Sequence, residues 1–272
     1  MPPEIASGLT WPVVAAVLLG AVLHAGWNAL VKSSGDKPLD TALVHFLGAV
    51  VALPMLLAVG LPRPETVPYI AASLSIHVGY YIALAGAYQH GEFGVTYPIM
   101  RGFAPMLVAL GSLPFLGEAP SVAAWVGIAG ITLGVALVGL SHPGEALHHG
   151  KALGFAFANA AIIALYTIVD GRGVRTEVAA GGEALRYVLI LFVLDGFPYP
   201  ALVWLRRGPE GRRRILAYAR SRWPLAALGG LASIGSYAVA LWAMTRAPVA
   251  SVAALRETSV LFATVIGTVM LK

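Results

Sequence analysis

The stretch YPIMRGFAPMLVALG, Tyr97 to Gly111, sets an arginine inside an apolar run, and 155 residues later the chain repeats the arrangement in VAALRETSVLFATVI, Val252 to Ile266. Arg101 then lies over Arg256, and the two copies align without a gap from Tyr81 to Leu116. Few positions are identical: Ala83 with Ala238, Ala85 with Ala240, Arg101 with Arg256 and Leu116 with Leu271, with Thr96 and Ser251 close. The repeat therefore rests on element pattern plus one costly residue type. An arginine at the centre of a membrane helix costs about 2.5 to 3.5 kcal/mol on insertion scales, so two at matching positions need a reason.

Outward from these two stretches, the composition names the solvent. Of 272 residues, 58% are apolar and 11% charged, with a mean hydropathy of +0.79, whereas soluble domains carry about 25% charged residues. An all-α integral membrane protein follows. Nine apolar runs, roughly 11–31, 41–60, 67–89, 95–116, 120–140, 151–170, 184–205, 223–246 and 248–271, each approach the ~20 residues that cross a hydrocarbon core of about 30 Å. Links such as Glu118 to Pro120 and Arg246 to Pro248 leave no room for a soluble domain. The net charge of +5 is carried by basic residues between the runs, which is a topology signal and excludes nucleic acid as the partner. With no cysteine, disulfides and thiolate metal sites are excluded. The first run follows no Lys or Arg and contains His24 and Asn28, so it reads as a retained helix and not as a cleaved signal.

Polar residues inside the runs are the candidates for a site. His24 and Asn28, one helical turn apart in helix one, are either lining or interhelical glue. In helix two, His45 lies near one end and Pro54 implies a kink. Tyr81 shares a face with His77 in helix three, where tyrosines also serve as interfacial anchors. Tyr97 and Arg101 stand one turn apart among Pro98, Gly102 and Pro105, so helix four is expected to be irregular, as helices lining transporter sites are. Helix five carries Gly127, Gly130 and Gly134, a GxxxG face for packing within the chain or in a homodimer. Helix six offers Asn159, Tyr166 and, at its end, Asp170; helix seven has Asp195 before Gly196, Pro198 and Pro200; helix eight has Ser233, Tyr237 and Trp242. Helix nine brings Arg256 and Glu257, and Glu257 is placed to pair with Arg101 across helices. The loop from Ser141 to Gly150 holds His142, Glu145, His148 and His149 without a metal-binding spacing, so neither metal nor cofactor is expected.

Five helices before the second copy reverse its orientation, so the halves, 11–140 and 151–272, are inverted relative to each other. Arg101 and Arg256 enter from opposite faces to depths of roughly 9 and 12 Å at 1.5 Å per residue. In a core of about 30 Å they come within roughly 10 Å of each other along the membrane normal. Two arginines converging at a repeat interface suit an anionic or zwitterionic solute, because the guanidinium matches carboxylate and phosphate.

The segments HAGWNALVK, YPIMRGFAPMLVALGSLPFLGE and WAMTRAPVASVAALRETSVLFATVIG resemble the EamA-type permeases of the drug/metabolite transporter superfamily, and the resemblance covers nearly the whole chain. It implies two inverted five-helix repeats, alternating access, and a central cavity lined by helices one, three, four, six, eight and nine, with Tyr97, Arg101, Arg256 and Glu257 at or near it. Here the second repeat lacks its last helix, which reads as truncation. Helix one has no glutamate of the kind that binds cations in the small multidrug branch. Lys and Arg read as lying outside the membrane, all but Arg101 and Arg256, number eleven on the side of the arginine-rich loop after helix seven and five on the other. The positive-inside rule thus places the N-terminus outside, where the resemblance implies a cytoplasmic one.

The sequence is read as a secondary active transporter, an exporter of a small polar metabolite such as an amino acid or organic acid, in a cell membrane of the bacterial inner-membrane type. Substrate binding is assigned to Arg101, Arg256, Tyr97, His24, Asn28, Tyr81, Tyr166 and Tyr237. Proton coupling is assigned to Glu257 first and Asp195 second. No enzymatic motif is present. The rival readings are a lipid-linked precursor flippase and a non-transporting scaffold subunit.

Overall fold

The computed structural model describes residues 9–32, 34–91, 93–139 and 150–270. The histidine-containing stretch 140–149 and the last two residues lie outside them. Among these residues eleven α-helices follow one another: α1 (Trp11–Lys32), α2 (Lys37–Val59), α3 (Val67–His90), α4 (Phe93–Leu116), α5 (Val122–Gly139), α6 (Gly150–Ala179), α7 (Ala184–Asp195), α8 (Pro198–Arg206), α9 (Pro209–Met244), α10 (Val249–Glu257) and α11 (Ser259–Met270). A 3₁₀ turn (Pro64–Thr66) precedes α3, and no strand occurs among the described residues. Among the described residues seven spans are long and apolar enough to cross a membrane: 11–31, 37–59, 64–90, 95–116, 150–179, 184–206 and 209–244. α5 is shorter, and α10 and α11 are each too short alone.

The bundle is packed as membrane proteins are, with small residues inside. Ala21, Ala25, Ala52, Ala156 and Ala160 are fully buried, while Leu19, Leu57, Leu110, Val126 and Leu133 are exposed on the outside, where lipid tails replace the apolar core of a soluble protein. α1 packs against α9, α10 and α11; α6 packs against α3 and α4; α2 lies on α9, α7 and α8; α4 lies on α5 and α10. α2 and α9 come together at backbone distance, since a Cβ on Gly230 would stand 2.9 Å from the Gly48 backbone.

Helix ends follow local chemistry. Asp36 caps α2 by accepting the Leu39 N–H at 3.1 Å. α6 closes in a Schellman motif: Gly181, at φ 79°, donates to Val178 O and Gly182 donates to Glu177 O. Between α7 and α8 the chain breaks at Gly196 and restarts with Pro198 in the first turn, as the prolines of helix seven imply.

Three expectations are corrected. Helix four is a continuous α-helix through Pro98, Pro105 and Pro114, because a proline removes one ladder bond while burial between α5, α6 and α10 keeps the chain helical. The irregular backbone lies instead at Gly196 and at Thr258, between α10 and α11. The arginine-rich stretch is not a loop: from Pro209 it is the first part of α9, whose 36 residues extend about 54 Å at 1.5 Å per residue. Arg207 grips Asp36 with both contacts at 2.6–2.7 Å, and Arg222 meets Asp40 at 2.6 Å, tying that end of α9 to α2. Asp170 is not at a helix end either, since α6 runs nine residues beyond it.

Candidate binding site

α1, α2, α3, α4, α6, α7, α9 and α10 enclose a cavity of about 180 Å³. Its wall holds His24 and Asn28 from α1, Tyr81 from α3, Tyr97 and Arg101 from α4, Tyr166 from α6, Asp195 from α7, Tyr237 from α9 and Arg256 from α10. Every substrate-binding residue named from sequence is thus brought to one space. Trp27, His45, His77 and Tyr80 line it too, and α2 and α7 join the helices implied by the resemblance. Glu257 stands behind the wall, and Arg256 is shared with a smaller space formed by Pro105, Thr167 and Glu257.

The two arginines differ. Arg101 Nε lies 2.8 Å from Glu257 Oε2, and both side chains are almost wholly buried. That contact is an ion pair between α4 and α10. Arg256 instead rests over the Tyr237 ring, its guanidinium carbon 5.0 Å from the centroid, and no carboxylate comes within ion-pair distance of it among the described residues. Arg101 Nη2, Arg256 Nε and Trp27 Nε1 are buried donors without a hydrogen-bond acceptor among the described residues. A buried donor left without a partner costs about 1 to 3 kcal/mol, more when charged.

Aromatic rings fix the shape. His77 stacks on Tyr166 at 4.6 Å, Tyr80 meets Tyr166 edge-on at 6.2 Å, and His24 meets Trp27 edge-on at 5.4 Å. His24 and Asn28 do not bond side chain to side chain: Asn28 Nδ2 donates to the His24 carbonyl at 2.8 Å, which leaves the His24 ring directed by Trp27. Asp195 owes its position to the break after α7. A Cβ on Gly196 would stand 2.3 Å from that of Ala49, so glycine lets α7 close on α2. Asp195 then accepts the Tyr81 hydroxyl at 2.7 Å and faces His45 Nδ1 at 3.7 Å.

Sequence reading passed over several polar contacts. Asp170, fully buried in α6, accepts the Tyr187 hydroxyl at 3.0 Å and the Tyr237 hydroxyl in a short bond. Its spacing of one turn from Tyr166 was the available signal. At the end of α6, Arg175 donates to Glu118 at 2.6 Å and to the carbonyls of Met244 and Ala247, while Glu118 also accepts the Val249 N–H at 2.9 Å. Nearby, Glu177 accepts the Arg63 N–H at 2.8 Å. These contacts fasten the links after α2, α4, α6 and α9 to one another. Among the described residues no group of three His, Cys, Asp or Glu side chains is placed to hold a metal ion.

No family model and no curated protein matches the chain. Fifteen chains of solved structures share its fold. One of them, described only as a crystal structure of a protein, superposes with a TM-score of 0.65 at 22% identity, over 94% of this chain and 88% of its own. At that identity the likeness is one of fold. Fold and spans together define the class: an all-α, multi-pass membrane protein with a polar cavity inside its bundle.

Proposed function

We propose that this protein is a secondary active transporter of a small anionic or zwitterionic metabolite, built as an EamA-type permease of the drug/metabolite transporter superfamily from two inverted repeats. The observation that carries the reading is the cavity walled by Arg101 and Arg256, each of which has a buried guanidinium nitrogen, Nη2 and Nε respectively, without an acceptor among the described residues. A carboxylate or phosphate placed between the two guanidinium groups gives those donors partners and meets the positive charge that Glu257 leaves at Arg256.

Two further features support it. The packing is paired: α1 lies on α9 and the α10–α11 pair as α6 lies on α3 and α4, which is what exchange of two repeats about an axis in the membrane plane requires. In that scheme α7 with α8, and α10 with α11, are single broken spans, bringing the total to nine, and the breaks fall beside Asp195 and Arg256. The cavity volume of about 180 Å³ lies below the 300–1,000 Å³ of pockets for drug-sized ligands. That favours an amino acid or short organic acid over a lipid-linked precursor.

The test is a thermal-shift screen of the purified protein against amino acids, organic acids and phosphorylated metabolites, beside Arg256→Ala and the charge-neutral pair Arg101→Met with Glu257→Leu. A ligand present at about 100 times its Kd stabilises the folded state by about 2.7 kcal/mol. The expected result is a compound that raises the unfolding temperature of the wild type and of neither variant. Equal shifts in all three proteins would remove the arginines from the binding role.

A further inference from the structure

Behind the Tyr237 wall of the cavity sits a carboxylate that the binding site does not use. Asp170 is fully buried, and no arginine, lysine or histidine nitrogen lies within ion-pair distance of it among the described residues. The other buried acids are partnered differently: Glu257 by Arg101, Asp40 by Arg222, and Glu177 by the Arg63 N–H and the Thr66 hydroxyl. Asp170 is met by hydroxyls alone. Tyr187 from α7 donates to Oδ1 at 3.0 Å and Tyr237 from α9 donates to Oδ2.

The surroundings are built for this arrangement. A Cβ on Gly173 would lie 2.4 Å from the Tyr187 hydroxyl, so glycine three residues after Asp170, on the same face, makes room for the ring that binds it. α3 presents His77, whose Nδ1 bonds the Ser73 carbonyl at 2.8 Å and whose ring stacks on Tyr166, one turn before Asp170. α10 presents Val249 against Gly171, α4 presents Gly111 against Ile168, and α9 contributes Tyr237. Arg256 reaches the carboxylate only through the Tyr237 ring.

We infer that Asp170 is the proton-binding site of this protein, reached from the cavity through the Tyr237 hydroxyl, and that its protonation favours anion binding at Arg256. The inference rests on the transporter reading of the cavity. The proton path is short and balanced: Tyr237 passes its hydroxyl proton to Asp170 and takes one from the cavity, so no covalent bond to carbon or nitrogen changes. Once protonated, Asp170 can donate to the Tyr237 oxygen, and the Tyr237 O–H turns toward the cavity it lines. The charges follow. Arg101 and Glu257 cancel, Arg256 adds one positive charge, and Asp195 and Asp170, when ionised, add two negative ones. Proton uptake at Asp170 removes the negative charge behind Arg256, so proton and anionic solute favour each other's binding, and by linkage the effect is reciprocal.

The test reads the proton directly and needs no solute. Infrared difference spectra of the purified protein in liposomes, recorded along a pH titration, report carboxyl groups as they protonate. The expected result is a protonated-carboxyl band that is absent in Asp170→Asn and retained in Asp195→Asn. Tyr237→Phe keeps the ring under Arg256 and removes one donor to the ionised form. A hydrogen bond to a charged group contributes about 1.5–3 kcal/mol, so this variant moves the band's midpoint by about one pH unit or more. If Asp170→Asn does not insert, the Tyr237→Phe displacement decides alone. No titrating band in the wild type, a band that survives in Asp170→Asn, or a midpoint unmoved in Tyr237→Phe overturns the inference. Because no ligand is added, such a failure leaves the thermal-shift screen to judge the transporter reading separately.

Discussion

Arg101 and Arg256 occupy equivalent places in the sequence repeat but not equivalent places in the electrostatics. Arg101 is committed to Glu257 and Arg256 lies on an aromatic face, a contact that contributes about 2 kcal/mol or more once desolvated. Removing one member of a buried ion pair costs about 3–5 kcal/mol, because the other charge stays behind, whereas replacing both with apolar residues of similar size is often neutral. Glu257→Ala is therefore expected to lower the thermal unfolding midpoint in detergent more than the double change Arg101→Met with Glu257→Leu. The reverse order would show that the pair is not what holds α4 to α10. Pairing of Glu257 with Arg101 was legible in the sequence, since both are costly residues in runs predicted to cross the membrane. The role of Asp170 was not. A single aspartate in a 30-residue helix carries no mark of which hydroxyls will surround it, and Tyr187 and Tyr237 arrive from helices 17 and 67 residues away.

At the scale of elements, prolines misled and glycines informed only in part. Helix four keeps its α-helix through three prolines, while the chain breaks at Thr258, where neither proline nor glycine stands. There Thr258 Oγ1 donates to the Leu255 carbonyl at 2.7 Å, a local bond that competes with the helical ladder. Among the described residues nothing lies within 4 Å of a Cβ built on Gly127, Gly130 or Gly134, the GxxxG face of α5. Small residues that do pack two helices include Gly48 against Gly230, which no motif announced. Gly230→Ala is expected to destabilise the protein by about 1–3 kcal/mol through overpacking. Gly130→Ala is expected to stay within about 0.5 kcal/mol, as an outward-facing substitution does. Thermal unfolding of the two variants side by side checks the contrast, and equal losses would contradict the packing described here.

For the whole molecule, composition was enough to name an all-helical membrane protein, because backbone groups in hydrocarbon must be satisfied within each span. The orientation of the bundle remains a matter of charge, with seven arginines gathered between Arg206 and Arg222. The cysteine-free chain makes a clean test. In right-side-out vesicles, a cysteine from Glu65→Cys is expected to react with an impermeant maleimide, and one from Arg214→Cys only after the vesicles are opened; the opposite pattern would invert the topology. The crossing of α2 and α9 has a further consequence, in terms of friction. Interlocked side chains, such as Phe155 filling the space over Gly86, must change rotamer before their helices can slide. Two bare backbones meeting at Gly48 and Gly230 have no teeth to disengage. That contact is a smooth point within an otherwise geared assembly, and what holds α2 and α9 in register is the pair of ion contacts Arg207–Asp36 and Arg222–Asp40 at one end of α9.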